Sequence, residues 1–182
     1  MKPLNTILIL LTAFAAVFLQ AAVGTRGWLG AQIDLLPALI VYASLTSRLP
    51  TMALVAVCGG LWFDSLSANP LGITILPLFV VGWVIHKNRE LILRKQIYAQ
   101  FVIGLTASAA APLLTLLLLF STGRSPLVGW GTLWQWLVMS VGGGLLTPVC
   151  FRFFRFINHE FFYQAVKQPS FRPDREIRRS RH

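Results

Sequence analysis

The sequence predicts an all-α fold, a polytopic membrane helix bundle of about six transmembrane helices with short middle spans. Three observations predict it. Of the 182 residues, 55% are hydrophobic and only 12% are charged, against roughly 25% charged in an ordinary soluble domain. The apolar residues gather in six runs separated by Pro, Gly and basic clusters. The net charge of +10 comes from residues lying between and after those runs, which points to topology and anionic lipid rather than nucleic acid.

The runs are Leu4–Val23, Leu35–Ser47, Thr51–Phe63, Leu71–His86, Ile97–Phe120 and Thr132–Cys150. The first resembles a signal peptide in its Lys2 start and its Ala21-Ala22 end. Its apolar stretch, near 20 residues, exceeds a usual signal core, so it is read as a span. The middle runs are short: Leu35–Ser47 covers about 20 Å of a hydrocarbon core of about 30 Å. They fit tilted helices extended by their polar ends, with Asp34 and Asp64 helical, a locally thinned bilayer, or a re-entrant hairpin. Six spans are expected, with five or four as alternatives. Arg48-Leu49-Pro50 makes a tight turn, and Asn69-Pro70 reads as a helix N-cap followed by proline at the first helical position. Residues 1–166 form the bundle with an interfacial C-terminal helix, and 167–182 form a basic cytoplasmic tail.

Charge sidedness supports six spans. With the N-terminus in the cytoplasm, 14 of the 16 Lys and Arg residues fall inside, and only Arg26 and Arg124 fall outside. That bias predicts a multi-pass protein of the inner membrane with both termini cytoplasmic.

On this topology Asp34 begins the second span and Asp64 ends the third, both at the outer end of adjacent antiparallel segments. Two readings stand. The acids line an outward-facing pocket, where they bind a cation, carry protons or contact a partner. Alternatively, each ends or caps a helix. No catalytic constellation appears: His86, His159 and His182 are remote from both acids, and there is no glycine-rich phosphate loop and no Cys/His metal spacing. Cys58 and Cys150 sit in apolar runs as small hydrophobes. The sequence predicts a non-enzyme with no cofactor and no metal.

Small residues recur at four-residue spacing: Ala56 with Gly60, Gly104 with Ser108, Ala107 with Ala111, and Ser140 with Gly144. Such spacing lets helices approach closely. Gly142-Gly143-Gly144 is the densest instance. These faces serve packing within one bundle or between two copies, and the glycine run also admits local flexibility. After the last span, Arg152 and Arg155 alternate with Phe151, Phe153, Phe154 and Phe156, and Lys167, Arg172 and Arg175 follow. Aromatic-basic alternation suits a helix in the inner headgroup layer, and the basic tail suits anionic lipid or an acidic cytoplasmic partner.

From Gln32 to Trp83 the chain reads QIDLLPALIVYASLTSRLPTMALVAVCGGLWFDSLSANPLGITILPLFVVGW. An Asp-Leu-Leu-Pro start leads to a short span and a tight basic turn. A small-residue span then ends Gly-Gly-Leu-x-x-Asp, and Pro70-Leu71-Gly72 opens the next segment. This order resembles the rod-shape-determining protein MreD family, with one departure: Gln32-Ile33 stand before Asp34, where that family's pattern has a proline. The resemblance implies a non-catalytic scaffold of the bacterial cell-elongation machinery. The implied partners are the bitopic protein MreC, the actin-like MreB filament system, and the elongation-specific glycosyltransferase and transpeptidase that build lateral peptidoglycan. The family's fold is similar to the substrate-binding subunits of energy-coupling-factor vitamin transporters, so the alternative is a small-molecule-binding membrane subunit. A ligand-binding subunit would need several polar side chains facing a cavity, and these spans promise few.

Overall fold

The computed structural model describes residues 3–23, 30–67, 70–90, 92, 96–123 and 129–163. Six helices, and no strand, occur among them: α1 (Pro3–Val23), α2 (Leu36–Thr46), α3 (Leu49–Ser65), α4 (Ile75–Lys87), α5 (Ile97–Ser121) and α6 (Trp130–Tyr163). The chain divides into two compact units, Met1–Phe151 and Arg152–His182, with the division inside α6. Asn69, Lys167, Arg172 and Arg175 lie outside the described residues.

Helix α2 is the centre of the first unit. All residues from Leu36 to Leu45 are buried, and the helix packs against α1, α3, α4 and α5. Its sequence is apolar all round because it presents no outer face. That also explains its brevity: 11 residues rise only about 16 Å. The α2–α3 turn is as tight as expected. Ser47 donates its N–H to the Ala43 carbonyl (2.8 Å), Arg48 is extended, and α3 begins at Leu49 with Pro50 in its first turn. The nearby end of α4 is tied to α2 by His86, whose Nδ1–H donates to the Ser44 carbonyl at 2.8 Å.

Two sequence expectations are corrected. Asp34 is not helical, because α2 starts only at Leu36. Pro70 does not occupy the first turn of α4, which starts at Ile75. Gly72 adopts φ +91°, a left-handed conformation that breaks a helix begun at Pro70. The last helix starts two residues before the expected run and continues through the aromatic-basic segment to Tyr163 as one helix.

Close approach is concentrated where small residues recur. In α3, Ala56 is buried and Gly60 faces Ile75 of α4; a Cβ on Gly60 would lie 3.1 Å from the Ile75 backbone. Gly82 of α4, not singled out by spacing, faces Met52 and Ile40. The α5–α6 seam sets Gly104 against Thr147 and the Gly143 carbonyl, Gly143 against Ser108, and Gly144 against Phe101 and Leu105. Gly142 faces Ile33, ahead of α2. The glycine run therefore lies within the first unit's own packing. Pro112 has no N–H to give the carbonyl one turn back in α5, and at the neighbouring position the Trp136 indole Nε1–H donates to the Ala109 carbonyl (3.0 Å).

Candidate functional site

The two carboxylates sit at one end of the first unit, in two separate constructions. Asp64 is 1% exposed and lies in the last turn of α3. Its Oδ2 accepts the N–H groups of Gly72 (2.8 Å) and Thr74 (3.2 Å), and its Oδ1 accepts the Thr74 hydroxyl (2.9 Å). Residues 70–74 are a pair of turns, with Ile73 N–H bonded to the Pro70 carbonyl and Ile75 N–H to the Gly72 carbonyl. Asp64 thus supplies, from another helix, the acceptors that the start of α4 lacks locally, and its charge faces the positive end of that helix. The opposite orientation, a carboxylate at the end of its own helix, is unfavourable alone. The three bonds offset it.

Asp34 caps α2. Its Oδ1 accepts the Leu36 N–H at 2.9 Å, the two-residue reach of an Asx turn. The next donor, Leu35 N–H, goes to Oε1 of Gln20 on α1 (3.3 Å). Gln135 of α6 grips the same connection from the other side. Its Oε1 accepts the Gln32 N–H (3.0 Å) and its Nε2 donates to the Gln32 carbonyl (2.8 Å). The connection before α2 is therefore held by amides from two helices. Gln20 and Gln135 are the residues that sequence reasoning missed. Each is an isolated polar side chain in an apolar run, and the only available signal was that burying an amide requires a partner.

Beneath this connection lies a cavity of about 900 Å³ walled by α1, the α3 end, α4, α5 and α6. Asp34, Gln20, Gln32, Thr74 and Gln135 line it, and Asp64 does not. The structure thus brings Asp34 to the cavity and makes Asp64 a turn-holding group. It also corrects the expectation that few polar side chains would face a cavity. Pro70 and Gly72 serve the Asp64 turn. Arg152 and Arg155 are exposed on the second unit's part of α6, beside the exposed Phe153 and Phe156. Among the described residues no group of three His, Cys, Asp or Glu side chains could hold a metal.

Asp34 lies in the connection, outside the helices, and burial pushes its carboxyl up to about 6, against the smaller downward pull of the Leu36 N–H and the Gln20 amide. A carboxyl raised in the folded state favours folding below its ordinary value near 3.8, and that contribution is lost as pH rises through about 6. Asp34→Asn keeps an acceptor for Leu36 and removes the charge. It is expected to raise the thermal midpoint in detergent at pH 7.5 and to match the wild type at pH 4, the difference being about 3 kcal/mol at most. Equal wild-type and variant midpoints at both pH values would show that Asp34 carries no such penalty.

The fold and site define an all-helical protein whose two polar connections close one end around a cavity. Compared with protein-family models, curated proteins and solved structures, the chain finds no match.

Proposed function

We propose that the chain is a multi-pass inner-membrane protein, with both termini cytoplasmic, that serves as a non-catalytic scaffold of the MreD type in bacterial cell elongation. The observation that carries the membrane reading is inverted burial. Helix α5 buries Gln100, Gly104, Ala107, Ser108 and Ala111, and turns Leu113, Leu117 and Phe120 outward. On α6, Leu133, Leu137, Val141, Leu145 and Val149 form an exposed apolar stripe. The two helices are long and apolar enough to cross a bilayer, yet only 22% and 33% of their most apolar 18-residue windows are buried. A core helix of a water-soluble protein would bury most of such a window, and an apolar surface this large in water is an aggregation hazard. Small and polar groups inside with large apolar groups outside suit lipid.

The scaffold reading rests on the Gln32–Trp83 resemblance. It names MreC as the direct partner, with the MreB system and the elongation-specific glycosyltransferase and transpeptidase beyond it, and anionic lipid at the basic tail. Affinity purification at native expression is expected to recover these proteins, and depletion is expected to round rod-shaped cells. The cavity favours a second reading, the small-molecule-binding subunit of an energy-coupling-factor-type vitamin transporter. Recovery of an ATPase pair with a coupling subunit, with cell shape intact on depletion, would replace the first reading by the second.

Topology has its own test. With Cys58 and Cys150 replaced by alanine, Arg124→Cys is expected to react with an impermeant thiol reagent in intact cells, and Lys167→Cys to be protected. The reverse pattern would overturn the orientation.

A further inference from the structure

The wall of the 900 Å³ cavity is mostly apolar, from Leu36, Phe63, Leu78, Leu116 and Met139 among others. Its volume lies within the range of about 300–1,000 Å³ that holds a drug-sized molecule. Several of its polar groups are already engaged. Gln135 uses both amide atoms on Gln32, the Trp136 indole serves Ala109, and Thr74 serves Asp64 and Gly60. Gln20 is different. It is only 6% exposed, its Oε1 holds the Leu35 N–H, and its Nε2, though near enough to the Asp34 carboxyl to pull it down, is buried with no hydrogen bond of ordinary length. Buried amide donors are almost always paired, so one that is not, on a cavity wall, marks a place for an acceptor. On the same wall stands the Asp34 carboxyl, an acceptor for a donor. Among the described lining residues Asp34 is the single ionisable group and no basic side chain is present. An anionic head group would meet the Asp34 carboxyl and, among the described lining residues, no cation to pair with, which disfavours phosphates and fatty carboxylates there.

We propose that this cavity binds a neutral amphipathic molecule by a hydroxylated head group, whose hydroxyl accepts from Gln20 Nε2 and donates to Asp34, with its apolar part along α5 and α6. The site serves either reading of the function and depends on neither. The same head group occurs on a neutral lipid and on a water-soluble molecule, and the test separates the two.

Full-length protein in detergent would be titrated with 1-monooleoylglycerol, with water-soluble 1-monobutyrylglycerol carrying the same head, and with oleate, and read by native mass spectrometry. Saturable one-to-one binding of the first, with oleate about tenfold weaker or worse, is expected. Binding by monobutyrylglycerol as well would support a soluble ligand, and binding by the oleoyl compound alone a lipid. Gln20→Glu keeps the acceptor for Leu35 and removes the Nε2 donor, and Thr115→Trp fills the cavity from its α5 wall. Both are expected to weaken binding about tenfold or more while circular dichroism shows the helices retained. Equal binding of oleate and monooleoylglycerol, or unchanged affinity in Thr115→Trp, would overturn the proposal. These measurements use purified protein, so their failure leaves the shape and co-purification tests of the scaffold untouched.

Discussion

Asp64→Ala is expected to lower stability by about 3 kcal/mol or more, the largest single effect at the capped end of the bundle. The side chain is 1% exposed and accepts three hydrogen bonds from Gly72 and Thr74. Its removal leaves buried donors with nothing to bond, at about 1–3 kcal/mol each when no water reaches them. Asp64→Asn retains one acceptor oxygen and is expected to lose roughly half as much. Ser65→Ala is the control, because the Ser65 hydroxyl is exposed and bonds only its own helix at Trp62. Thermal midpoints in one detergent decide the matter. If Asp64→Ala behaves like Ser65→Ala, the 70–74 turn is held by something other than the carboxylate.

Gly104→Ala comes next, at about 2–3 kcal/mol. A Cβ there would stand 2.6 Å from the Thr147 Cβ and 3.0 Å from the Gly143 carbonyl oxygen. Neither neighbour is a flexible chain end, so α5 and α6 must part. Gly131→Ala, on α6, meets nothing within 4 Å and is expected to be neutral or slightly stabilising. Thr147→Gly should recover part of the Gly104→Ala loss, and a double-mutant cycle measures the coupling. An alanine at 104 as harmless as one at 131 would mean that the seam is not tight.

What could be read in advance follows from how far each signal reaches along the chain. The six helices were legible because each apolar run is bounded by Pro, Gly or charge, and the starts and ends of α1, α2 and α5 fall within a residue or two of those marks. The four-residue spacing at Gly104 and Gly144 marked close-packed faces, but spacing on one helix does not name the residue opposite, so Thr147 and Ile33 were not foreseen. The Asn69-Pro70 reading failed for a local reason: proline signals a first turn only if the chain continues in helical φ and ψ, and Gly72 does not. Asp64 was recognisable as a capping candidate, whereas its partners on the next turn depend on that same glycine. Gln20 and Gln135 were illegible because their bonds join segments far apart in sequence.

That last separation has a consequence for how the protein is made. Gln32 and Gln135 are 103 residues apart. At about 5–20 residues per second, a ribosome needs roughly 5–20 s to travel that distance. Throughout that interval the backbone ahead of α2 lacks the amide that will clasp it. Until α6 arrives, this segment is held only by elements made earlier: the Gln20 amide of α1 and the packing of α1, α3, α4 and α5 on α2. The order of synthesis makes the last helix the latch on one of the first.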